Sequence, residues 1–438
     1  MGHFLLIDFG ASRIKAAVAD AHSGVLSQFR DFPPFGNVVT IAGHFEISPQ
    51  EVHNRFLEIC AFYNGLFQIN GILICSQMHG FLALDGNLEP ISNYISWKDE
   101  RSLEHVDANE STFELLQYQL GAKFKQITGM KPRPSFPFFN AAHWAKQQRK
   151  KAATLISLPD WLSLVSGQSN RITHDTMLAG LGFYDIYQGK ISSELVALAK
   201  EFSGCDFSFY KPTLLIEVAG QLTNKNSNIP IYTGVGDLQC AILGTGNFST
   251  KTISINIGTG SQVSAIYVKP QSEEVEFRPY FNKTLMTTIT HIPAGRALEF
   301  YVNGFAKQYN IQTQNLWRLL SSVSEKDVEL SKIDVNLAVF PSARGFDSNY
   351  NINDVFKKLP QPKVFLTVLV KALVKQYTDV VNIFDPKIEI NTIQLSGGVA
   401  RKLPVLVKLL HGPTARQVLP ATELDETILG LNILAKDL

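Results

Sequence analysis

The fold is decided by the stretch "LLIDFGASRIKAAVAD", residues Leu5–Asp20. One apolar run ends at Asp8, small residues follow Gly10, and a second apolar run begins at Ile14. Two such runs joined by a short turn predict a β-hairpin. Because the turn carries few β-carbons, its backbone N–H groups can approach a phosphate closely, although an ordinary hairpin is the alternative.

A second stretch, "SINIGTGSQVSAIYV", repeats this pattern from Ser254 onward. Asn256 takes the place of Asp8, and Gly258 takes the place of Gly10. Chance similarity between glycine-rich hairpins is one explanation, and internal duplication is the other. The first copy opens the chain and the second opens its latter half, which favours duplication. We predict two domains, residues 1–233 and 234–438, with a boundary near Gly234–Asp237.

Composition narrows the class of protein. With 438 residues and 45% hydrophobic content, the chain is too long for one ordinary core. Its 40 Lys and Arg balance 39 Asp and Glu, which gives no sign of a nucleic-acid or anionic-membrane partner. The four cysteines form no CxxC pair, and neither a signal peptide nor a membrane span is indicated. We therefore expect a cytoplasmic α/β protein with a small-molecule ligand.

The rest of the chain alternates short apolar runs with amphipathic stretches, as α/β proteins do. "SPQEVHNRFLEICAFYNGL" is predicted to be a helix opened by Ser48 and Glu51, and "INGILICS" the next strand. Further segments are assigned as follows: mostly helix from Ser111 to Lys151 with a loop at "KPRPSFPF", helices near Arg296–Tyr309 and Lys363–Asn382, strands "NIPIYTGVGD", "SQVSAIYV" and "TIQLSGG", and a last helix "DETILGLNILAKDL".

The two glycine-rich turns carry groups suited to phosphate. Ser12, Thr259 and Ser261 add hydroxyl donors to the backbone N–H groups. Asp8 is placed to hold Mg²⁺ through water, and Lys15 to offset phosphate charge. Neither a Walker A loop nor a nucleotide-binding GxGxxG occurs, so those two phosphate sites do not apply.

Two other glycine-rich strand ends suggest binding or catalysis. In "LSGGVAR", Gly397 and Gly398 follow a strand, where a flat adenine could lie against backbone, or where a turn merely needs positive φ. In "TGVGDLQCAILG", Asp237 precedes an apolar helix. A carboxylate there serves as a general base or as a helix N-cap, and its position at the predicted domain junction favours the base.

The segments "ILICSQMHGF" and "SWKDER" carry mixed polar and aromatic side chains. Gln77, Met78 and His79 end an apolar strand, and Trp97 and Asp99 follow in a loop. Sugar hydroxyls need paired donors and acceptors, and sugar C–H faces pack on aromatic rings. A polyhydroxylated ligand is one interpretation, and a satisfied structural histidine is the other.

Six segments together resemble the FGGY carbohydrate kinases in order and spacing. They are "IDFGASRIK", "SQMHGF", "WKDER", "GVGDLQC", "NIGTGSQ" and "LSGGVAR". The resemblance implies two ribonuclease H-like, actin-type ATPase domains with an interdomain cleft that binds MgATP and a sugar. The first domain would hold the sugar and the first phosphate motif, and the second would hold the nucleotide.

The resemblance also implies roles for individual residues. Asp237 would be the catalytic base that contacts the sugar. The sugar pocket would include Gln77, Met78, His79, Trp97 and Asp99. The phosphates would meet Gly10, Ser12, Lys15, Gly258, Thr259 and Gly260, and Mg²⁺ would meet Asp8. Gly397 and Gly398 would flank the adenine.

Within the family, "GDLQC" and "FRPYFNKTLM" (Phe277–Met286) resemble sedoheptulokinase more than xylulokinase. The favoured substrate is therefore sedoheptulose, with D-xylulose or another pentulose as the alternative. Ala11 stands where the family usually has Thr, "FPSARGFDSNY" (Phe340–Tyr350) replaces a familiar segment, and the chain is somewhat short. These departures leave open a catalytically weak sugar sensor. An actin-like ATPase is a rival from another class, and a homodimer is possible.

Overall fold

The computed structural model describes residues 2–106, 109–167, 169–224, 227–246, 251–266, 272–341 and 343–438. The chain forms two compact units. The first unit comprises Met1–Gly244, Phe277–Leu285 and Thr427–Leu438, and the second comprises Thr245–Glu276 and Met286–Glu426. The chain thus enters the second unit after Gly244 and returns to the first unit twice. The boundary predicted between residues 233 and 234 stays a prediction.

Residues up to 244 contribute sixteen strands and eight α-helices within the described part of the chain. The strands are β1 (His3–Phe9), β2 (Ile14–Asp20), β3 (Leu26–Phe32), β4 (Glu46–Ile47), β5 (Ile69–Ser76), β6 (Leu82–Leu84), β7 (Tyr94–Ile95), β8 (Ala152–Ile156), β9 (Ile172–His174), β10 (Tyr184–Asp185), β11 (Lys190–Ile191), β12 (Asp206–Phe209), β13 (Lys211–Thr213), β14 (Val218–Asn224), β15 (Ser227–Tyr232) and β16 (Val235–Gly236). The helices are α1 (Pro49–Asn64), α2 (Thr112–Leu120), α3 (Lys123–Thr128), α4 (Pro137–Gln147), α5 (Leu158–Val165), α6 (Asp175–Gly180), α7 (Ser193–Ser203) and α8 (Asp237–Gly244), with a 3₁₀ turn at Arg101–Leu103.

The remaining elements follow in the later part of the chain. They are β17 (Thr252–Ile257), β18 (Ser261–Ile266), β19 (Glu276–Tyr280), β20 (Thr284–Ile292), α9 (Gly295–Tyr309), α10 (Thr313–Ser321), α11 (Glu325–Leu330), α12 (Ile352–Lys358), α13 (Pro362–Phe384), β21 (Thr392–Ser396), α14 (Gly398–Lys402), α15 (Val405–Thr414), β22 (Gln417–Leu419) and α16 (Glu426–Ala435). The tip of the β19–β20 hairpin and most of α16 belong to the first unit. The predicted strand "SQVSAIYV" runs past Ile266 into residues outside the described part.

Both units contain the same sheet arrangement. In the first unit the strand order is β14-β15-β5-β1-β2-β3, and β16 also pairs with β5. In the second unit the order β20-β18-β17-β21-β22 has the same form. In each, the opening strand pairs antiparallel with the next strand and parallel with a later strand on its other side. The sheets therefore support the duplication predicted from the two hairpins.

The first-unit core lies where α1 and α5 pack on the sheet. The β1 side chains Leu5, Ile7 and Phe9 are buried in one cluster with Phe56 of α1. Helix α1 begins after Ser48, whose Oγ accepts a hydrogen bond from Glu51 N at 3.4 Å. Burial of each large apolar side chain contributes about 1.5–3 kcal/mol. Packing against α1 therefore holds β1, whose carboxyl end carries Asp8.

The long helices of the later chain lie close to their predicted positions. Helix α9 was predicted at Arg296–Tyr309 and spans Gly295–Tyr309. Helix α13, predicted at Lys363–Asn382, spans Pro362–Phe384 and buries twelve side chains, from Phe365 to Phe384. Within the described residues, no helix combines the length and the apolar character that a membrane crossing requires.

Candidate active site

Three parallel strands of the first unit end at one level of the sheet. Asp8 of β1 lies beside Cys75 of β5, which in turn pairs with Val235 of β16. One step later Phe9, Ser76 and Gly236 lie side by side. Ligands of open α/β sheets bind outside the carboxyl ends of strands. The register therefore places the turn at Gly10, the Gln77–His79 segment and Asp237 at the same edge.

Asp8 is a buried carboxylate at this edge. It is 2% exposed, and its Oδ2 accepts hydrogen bonds from Lys15 Nζ at 3.2 Å and from Thr427 Oγ1 at 2.7 Å. A buried charge is tolerated when it is paired and hydrogen-bonded in this way. Lys15 thus balances Asp8 directly. Thr427, on α16, was not among the predicted site residues, since no local pattern links it to β1.

Asp237 is the first residue of α8 and is partly buried. Its Oδ1 accepts a hydrogen bond from Leu238 N, the next amide, at 2.8 Å, whereas an N-cap bonds two or three residues along. Burial raises the pKa of Asp237 to about 7, and the Asp8 charge adds to the rise. The Leu238 amide, Lys15 and Arg278 act in the opposite direction. A carboxylate that titrates near neutrality suits general-base chemistry.

Met78 and His79 follow β5, the strand that pairs with β16 just before Asp237. A β-carbon on Gly236 would lie 2.4 Å from Met78 Sδ, so the glycine before Asp237 makes room for Met78. His79 adopts a positive φ of 61°, an uncommon conformation for a residue with a side chain. Its ring stacks on Phe136 with centroids 4.6 Å apart, and its Nδ1 lies 3.1 Å from Gly180 O. Met78 therefore lies against the residue before Asp237, and the His79 ring is held by Phe136 and Gly180.

Arg278 is a site residue that the sequence did not assign. Its Nη1 lies 3.2 Å from His79 Nε2. A guanidinium only donates hydrogen bonds, so Nε2 must be the unprotonated nitrogen and Nδ1 donates to Gly180 O. The stretch "FRPYFNKTLM" that contains Arg278 served only to compare subfamilies, because nothing local showed which side chain it would approach.

In the "SWKDER" segment, Asp99 is hydrogen-bonded within the protein. Asp99 is 0% exposed, and its carboxylate accepts from Phe45 N at 2.7 Å and from Arg101 Nε and Nη2 at 2.8 and 2.7 Å. Arg101 also donates to Glu46 Oε1 at 2.6 Å. Trp97, in contrast, is 41% exposed. These bonds support a structural role for Asp99, and sugar contact by Asp99 or Trp97 stays a prediction.

Gln77 and the first turn lie beside each other. Gln77 is buried and its N donates to Phe9 O at 3.2 Å. A β-carbon on Gly10 would lie 2.8 Å from Arg13 O, so the tight turn itself requires this glycine. Ser12 is exposed and Ala11 partly buried. The Ser12 hydroxyl is thus accessible to a ligand, and its predicted phosphate contact stays a prediction.

In the second unit, the turn after β17 is closed by its own backbone. Gly258 N donates to Gly260 O at 2.9 Å, and Ser261 Oγ donates to Asn256 O at 2.6 Å. A β-carbon on Gly260 would meet nothing within 4 Å. The backbone therefore does not need a glycine at 260, and the space beside it can admit a ligand. Thr259 lies between these two glycines.

The two glycines after β21 differ in the space that a β-carbon would find at each position. Gly397 has φ 90°, and a β-carbon there would lie 2.6 Å from Ile257 O. A β-carbon on Gly398 would meet nothing within 4 Å. Gly397 is therefore required by the turn, whereas Gly398 leaves open space. A largely apolar cavity of about 270 Å³ lies nearby, lined by Leu298, Trp317, Arg318, Leu320, Ser321, Val399, Lys402 and Leu403.

Comparison with known proteins agrees with these features. Residues 3–244 match the N-terminal domain of the FGGY family of carbohydrate kinases. The chain belongs to the FGGY family of carbohydrate kinases. The carbohydrate-kinase part of our prediction is thereby confirmed, while the likeness to sedoheptulokinase within the FGGY family stays a prediction.

Individual relatives of this FGGY chain are distant. Xylulose kinase of Staphylococcus xylosus is 24% identical over 352 residues, covering 75% of this chain and 68% of that protein. Glycerol kinase 1 of Lactiplantibacillus plantarum is 24% identical over 477 residues, covering 99% of this chain and 88% of that protein. The ligand-bound structure of xylulose kinase from Lactobacillus acidophilus superposes with a TM-score of 0.79 at 15% identity, covering 100% of this chain and 89% of the other. That likeness confirms the predicted fold class.

The Mg²⁺ expected of this FGGY chain can be tested against the residues present. Within the described part of the chain, no group of three or more His, Cys, Asp or Glu side chains forms a metal cage. Mg²⁺ does not require one, because it keeps several waters and is commonly held by one or two carboxylates and by substrate phosphates. Asp8 is a single carboxylate of this kind, and a β-carbon on Gly10 would lie 3.6 Å from its Oδ1, so the glycine keeps a side chain away from that oxygen.

Proposed function

We propose that the protein transfers the γ-phosphate of MgATP to a terminal hydroxyl of a ketose, with sedoheptulose as the first candidate. The observation that carries the proposal is Asp237, whose pKa is raised to about 7 at the strand edge shared with Met78 and His79. A base for a sugar hydroxyl must be ionised near neutral pH and still able to take up a proton. FGGY membership supplies the class of reaction.

The chemistry assigned to the first unit is proton acceptance. Asp237 accepts the proton of the sugar hydroxyl as that oxygen forms its bond to the γ-phosphorus and the bond to the ADP oxygen breaks. Lys15 and Asp8 form a charge-balanced pair beside this carboxylate. Mg²⁺, bound near Asp8, would neutralise charge on the phosphates. Positioning and charge stabilisation then account for most of the acceleration.

The second unit supplies the groups assigned to the nucleotide. The open backbone at Gly260 and the Thr259 hydroxyl suit a phosphate, which accepts hydrogen bonds from both. The apolar cavity beside α14, with Trp317 in its lining, suits a flat base. Gly398 leaves space at the start of that helix. We assign adenine to this region on these grounds.

The choice of a ketose rests on the polar groups near Asp237. A three-carbon polyol would leave some of them unpaired, and each unpaired buried group costs about 1–3 kcal/mol. The stretches "FRPYFNKTLM" and "GDLQC" favour sedoheptulose within the ketoses. Relatives named for xylulose and for glycerol make D-xylulose the second candidate and glycerol the necessary comparison.

A substrate panel tests the proposal. Release of ADP would be measured with sedoheptulose, D-xylulose, D-ribulose and glycerol at saturating MgATP, and kcat/KM compared. We expect sedoheptulose and D-xylulose each to exceed glycerol by about 10²-fold or more. Glycerol as best substrate would exclude the ketose assignment. D-xylulose clearly ahead of sedoheptulose would keep the reaction and replace the preferred sugar.

The same assay separates the two rival functions. An actin-like ATPase releases ADP at a rate that no sugar changes. A sugar sensor without catalysis binds a ketose in calorimetry but releases no ADP above the background rate. We expect ADP release that depends on the ketose and matches the sugar phosphate formed one to one. Either rival result would contradict the kinase assignment.

A further inference from the structure

We propose that Arg278 is the residue that selects the sugar, by donating hydrogen bonds to a carbonyl or similar acceptor oxygen of the substrate, and that His79 positions it. The inference deepens the proposed function and rests on it, since it concerns the sugar pocket of a ketose kinase. The resemblance to the FGGY kinases implies a sugar contact by His79 itself.

Arg278 is held at the site from both sides along its strand. Phe277 N donates to Gly129 O at 2.9 Å, and Pro279 O accepts from Gln239 Nε2 at 3.1 Å. Gln239 lies on α8, two residues beyond Asp237. The neighbours of Arg278 are therefore fixed to the loop after α3 and to the helix of the proposed base. This anchoring fixes the backbone from which the guanidinium reaches His79.

Both ring nitrogens of His79 take part in hydrogen bonds within the protein. His79 Nε2 accepts from Arg278 Nη1 at 3.2 Å, and Nδ1 donates to Gly180 O at 3.1 Å. The neutral ring has one donor and one acceptor, so this arrangement uses both. The flat stack of the ring on Phe136 also fixes its plane. His79 is thereby suited to orient Arg278 instead of binding a hydroxyl.

A guanidinium has several N–H donors in a rigid plane and accepts no hydrogen bond. It therefore pairs best with oxygens that act mainly as acceptors, such as a ketose carbonyl. The corresponding polyol has a hydroxyl at that carbon, whose proton must be directed elsewhere. A pocket organised by Arg278 should accordingly prefer a ketose to the polyol formed by its reduction.

The charge of Arg278 also reaches the proposed base. The guanidinium opposes the rise in the pKa of Asp237 that burial and Asp8 produce. Removing the cation would raise that pKa further, so a larger fraction of Asp237 would be protonated near neutrality. As the pH is lowered, kcat/KM would then begin to fall at a higher pH than in the unmodified protein. A side chain that only filled space would not move the pH profile in this way.

The test compares Arg278→Met, Arg278→Lys and, as a matched control, Arg30→Met. Arg30 is a first-unit guanidinium that lies over Phe62 at 4.3 Å. We measure kcat and KM for D-xylulose and sedoheptulose, KM for MgATP, the ratio of D-xylulose to xylitol turnover, and the pH dependence of kcat/KM. Calorimetric binding of the ketose without nucleotide gives a readout independent of turnover.

For Arg278→Met we expect the sugar KM to rise about 10- to 100-fold while the KM for MgATP changes less than threefold. The ketose-to-polyol ratio should fall toward unity, and the acidic limb of the pH profile should move to higher pH. Arg278→Lys should keep the position of the acidic limb but lose most of the sugar affinity. Arg30→Met should match the unmodified protein in all these measurements.

Unchanged sugar KM, selectivity and pH profile in Arg278→Met would overturn the assignment. Equal loss of sugar and nucleotide affinity, together with a lower melting temperature in both Arg278 variants, would also overturn it, by showing a structural role. An unmodified protein that turns over no ketose would contradict the proposed function instead. The two proposals can therefore fail separately: turnover by the unmodified protein tests the kinase function, and the Arg278 variants test the role of Arg278.

Discussion

The hairpins β1–β2 and β17–β18 share a backbone but differ in charge. Both opening strands pair antiparallel with the next strand and parallel with a later one. At matching positions, the first hairpin places Asp8 opposite Lys15, and the second places Asn256 opposite Gln262. Asp8 bonds Thr427, and Asn256 Nδ2 bonds Ser396 Oγ at 3.0 Å. One backbone plan therefore carries an ionic edge in one unit and a neutral edge in the other.

This difference indicates a division of chemistry between the repeats. An ionic edge can hold a cation and can shift the pKa of a neighbouring carboxylate, as Asp8 does for Asp237. A neutral edge made of amides and hydroxyls can bind phosphate without repelling it. The difference can be tested by changing each edge in turn.

The largest effect is expected from Asp237→Asn, beside the ionic edge. Loss of a general base typically costs about 10²- to 10⁴-fold in rate. We expect kcat to fall by that factor while MgATP binding, measured by calorimetry, changes little. Turnover within a few-fold of the unmodified protein would remove Asp237 from this role.

Asp237→Asn is expected to lower the rate but to raise the stability of the folded protein, because the pKa of Asp237 is raised on folding. Asp237 has a folded-state pKa of about 7 against an ordinary value of 3.8, so folding takes up a proton between these values. The contribution of this group to stability therefore falls as the pH rises from 3.8 to about 7. Asp237→Asn should raise the melting temperature more at pH 8 than at about pH 5. An equal shift at both pH values would contradict the burial of this charge.

Asp8→Asn makes the ionic edge resemble the neutral one. We expect kcat to fall about 100-fold, because charged hydrogen bonds and the proposed Mg²⁺ contact are lost together. The acidic limb of kcat/KM should move to lower pH, since the Asp8 charge no longer raises the pKa of Asp237. Titration of activity with Mg²⁺ provides the check on the metal. A limb that moves to higher pH would reverse the assigned coupling.

Thr259→Val tests the neutral edge with a smaller change. Valine keeps the shape and removes the hydroxyl, whose bond to a charged phosphate is worth about 1.5–3 kcal/mol. We expect about a 10- to 150-fold loss in kcat/KM for MgATP, with the sugar KM nearly constant. A raised sugar KM with unchanged nucleotide kinetics would move this turn to the sugar site.

The glycine pair after β21 offers a matched test of fold against ligand. Gly397→Ala should destabilise the protein by about 1–3 kcal/mol, because its φ of 90° strains a side chain and Ile257 O lies in the way. Gly398→Ala should leave stability within about 0.5 kcal/mol and weaken nucleotide binding a few-fold. Thermal unfolding and nucleotide titration separate the two. Equal destabilisation by both would remove Gly398 from the nucleotide site.

The smallest effect is expected for Ala11→Thr, which adds a hydroxyl to the first turn. Ala11 is partly buried beside exposed Ser12, in the turn between β1 and β2. We expect stability within about 0.5 kcal/mol and turnover within about threefold of the unmodified protein. A large increase in kcat would show that the missing hydroxyl limits this protein.

Local sequence determined the repeated part of this protein. The apolar runs around Asp8 and Asn256 specified two hairpins, and helical periodicity specified α1, α9 and α13 within a few residues of their ends. Such patterns succeed because strand alternation, helix spacing and turn chemistry act over a few neighbouring residues. The position of Asp237 at a strand end was also predicted from the sequence, and ligands of open α/β sheets bind outside the carboxyl ends of strands.

Tertiary structure alone decided the rest of the first-unit site. Arg278 meets His79 across 199 residues of sequence, and Thr427 meets Asp8 across 419. Both belong to segments that return to the first unit after the chain has entered the second. The buried Asp99 carboxylate likewise accepts from Phe45 N, 54 residues earlier in the chain, at 2.7 Å, while its sugar contact stays a prediction. Local patterns report which residues are polar, whereas the partners of those residues depend on packing between segments far apart in the chain.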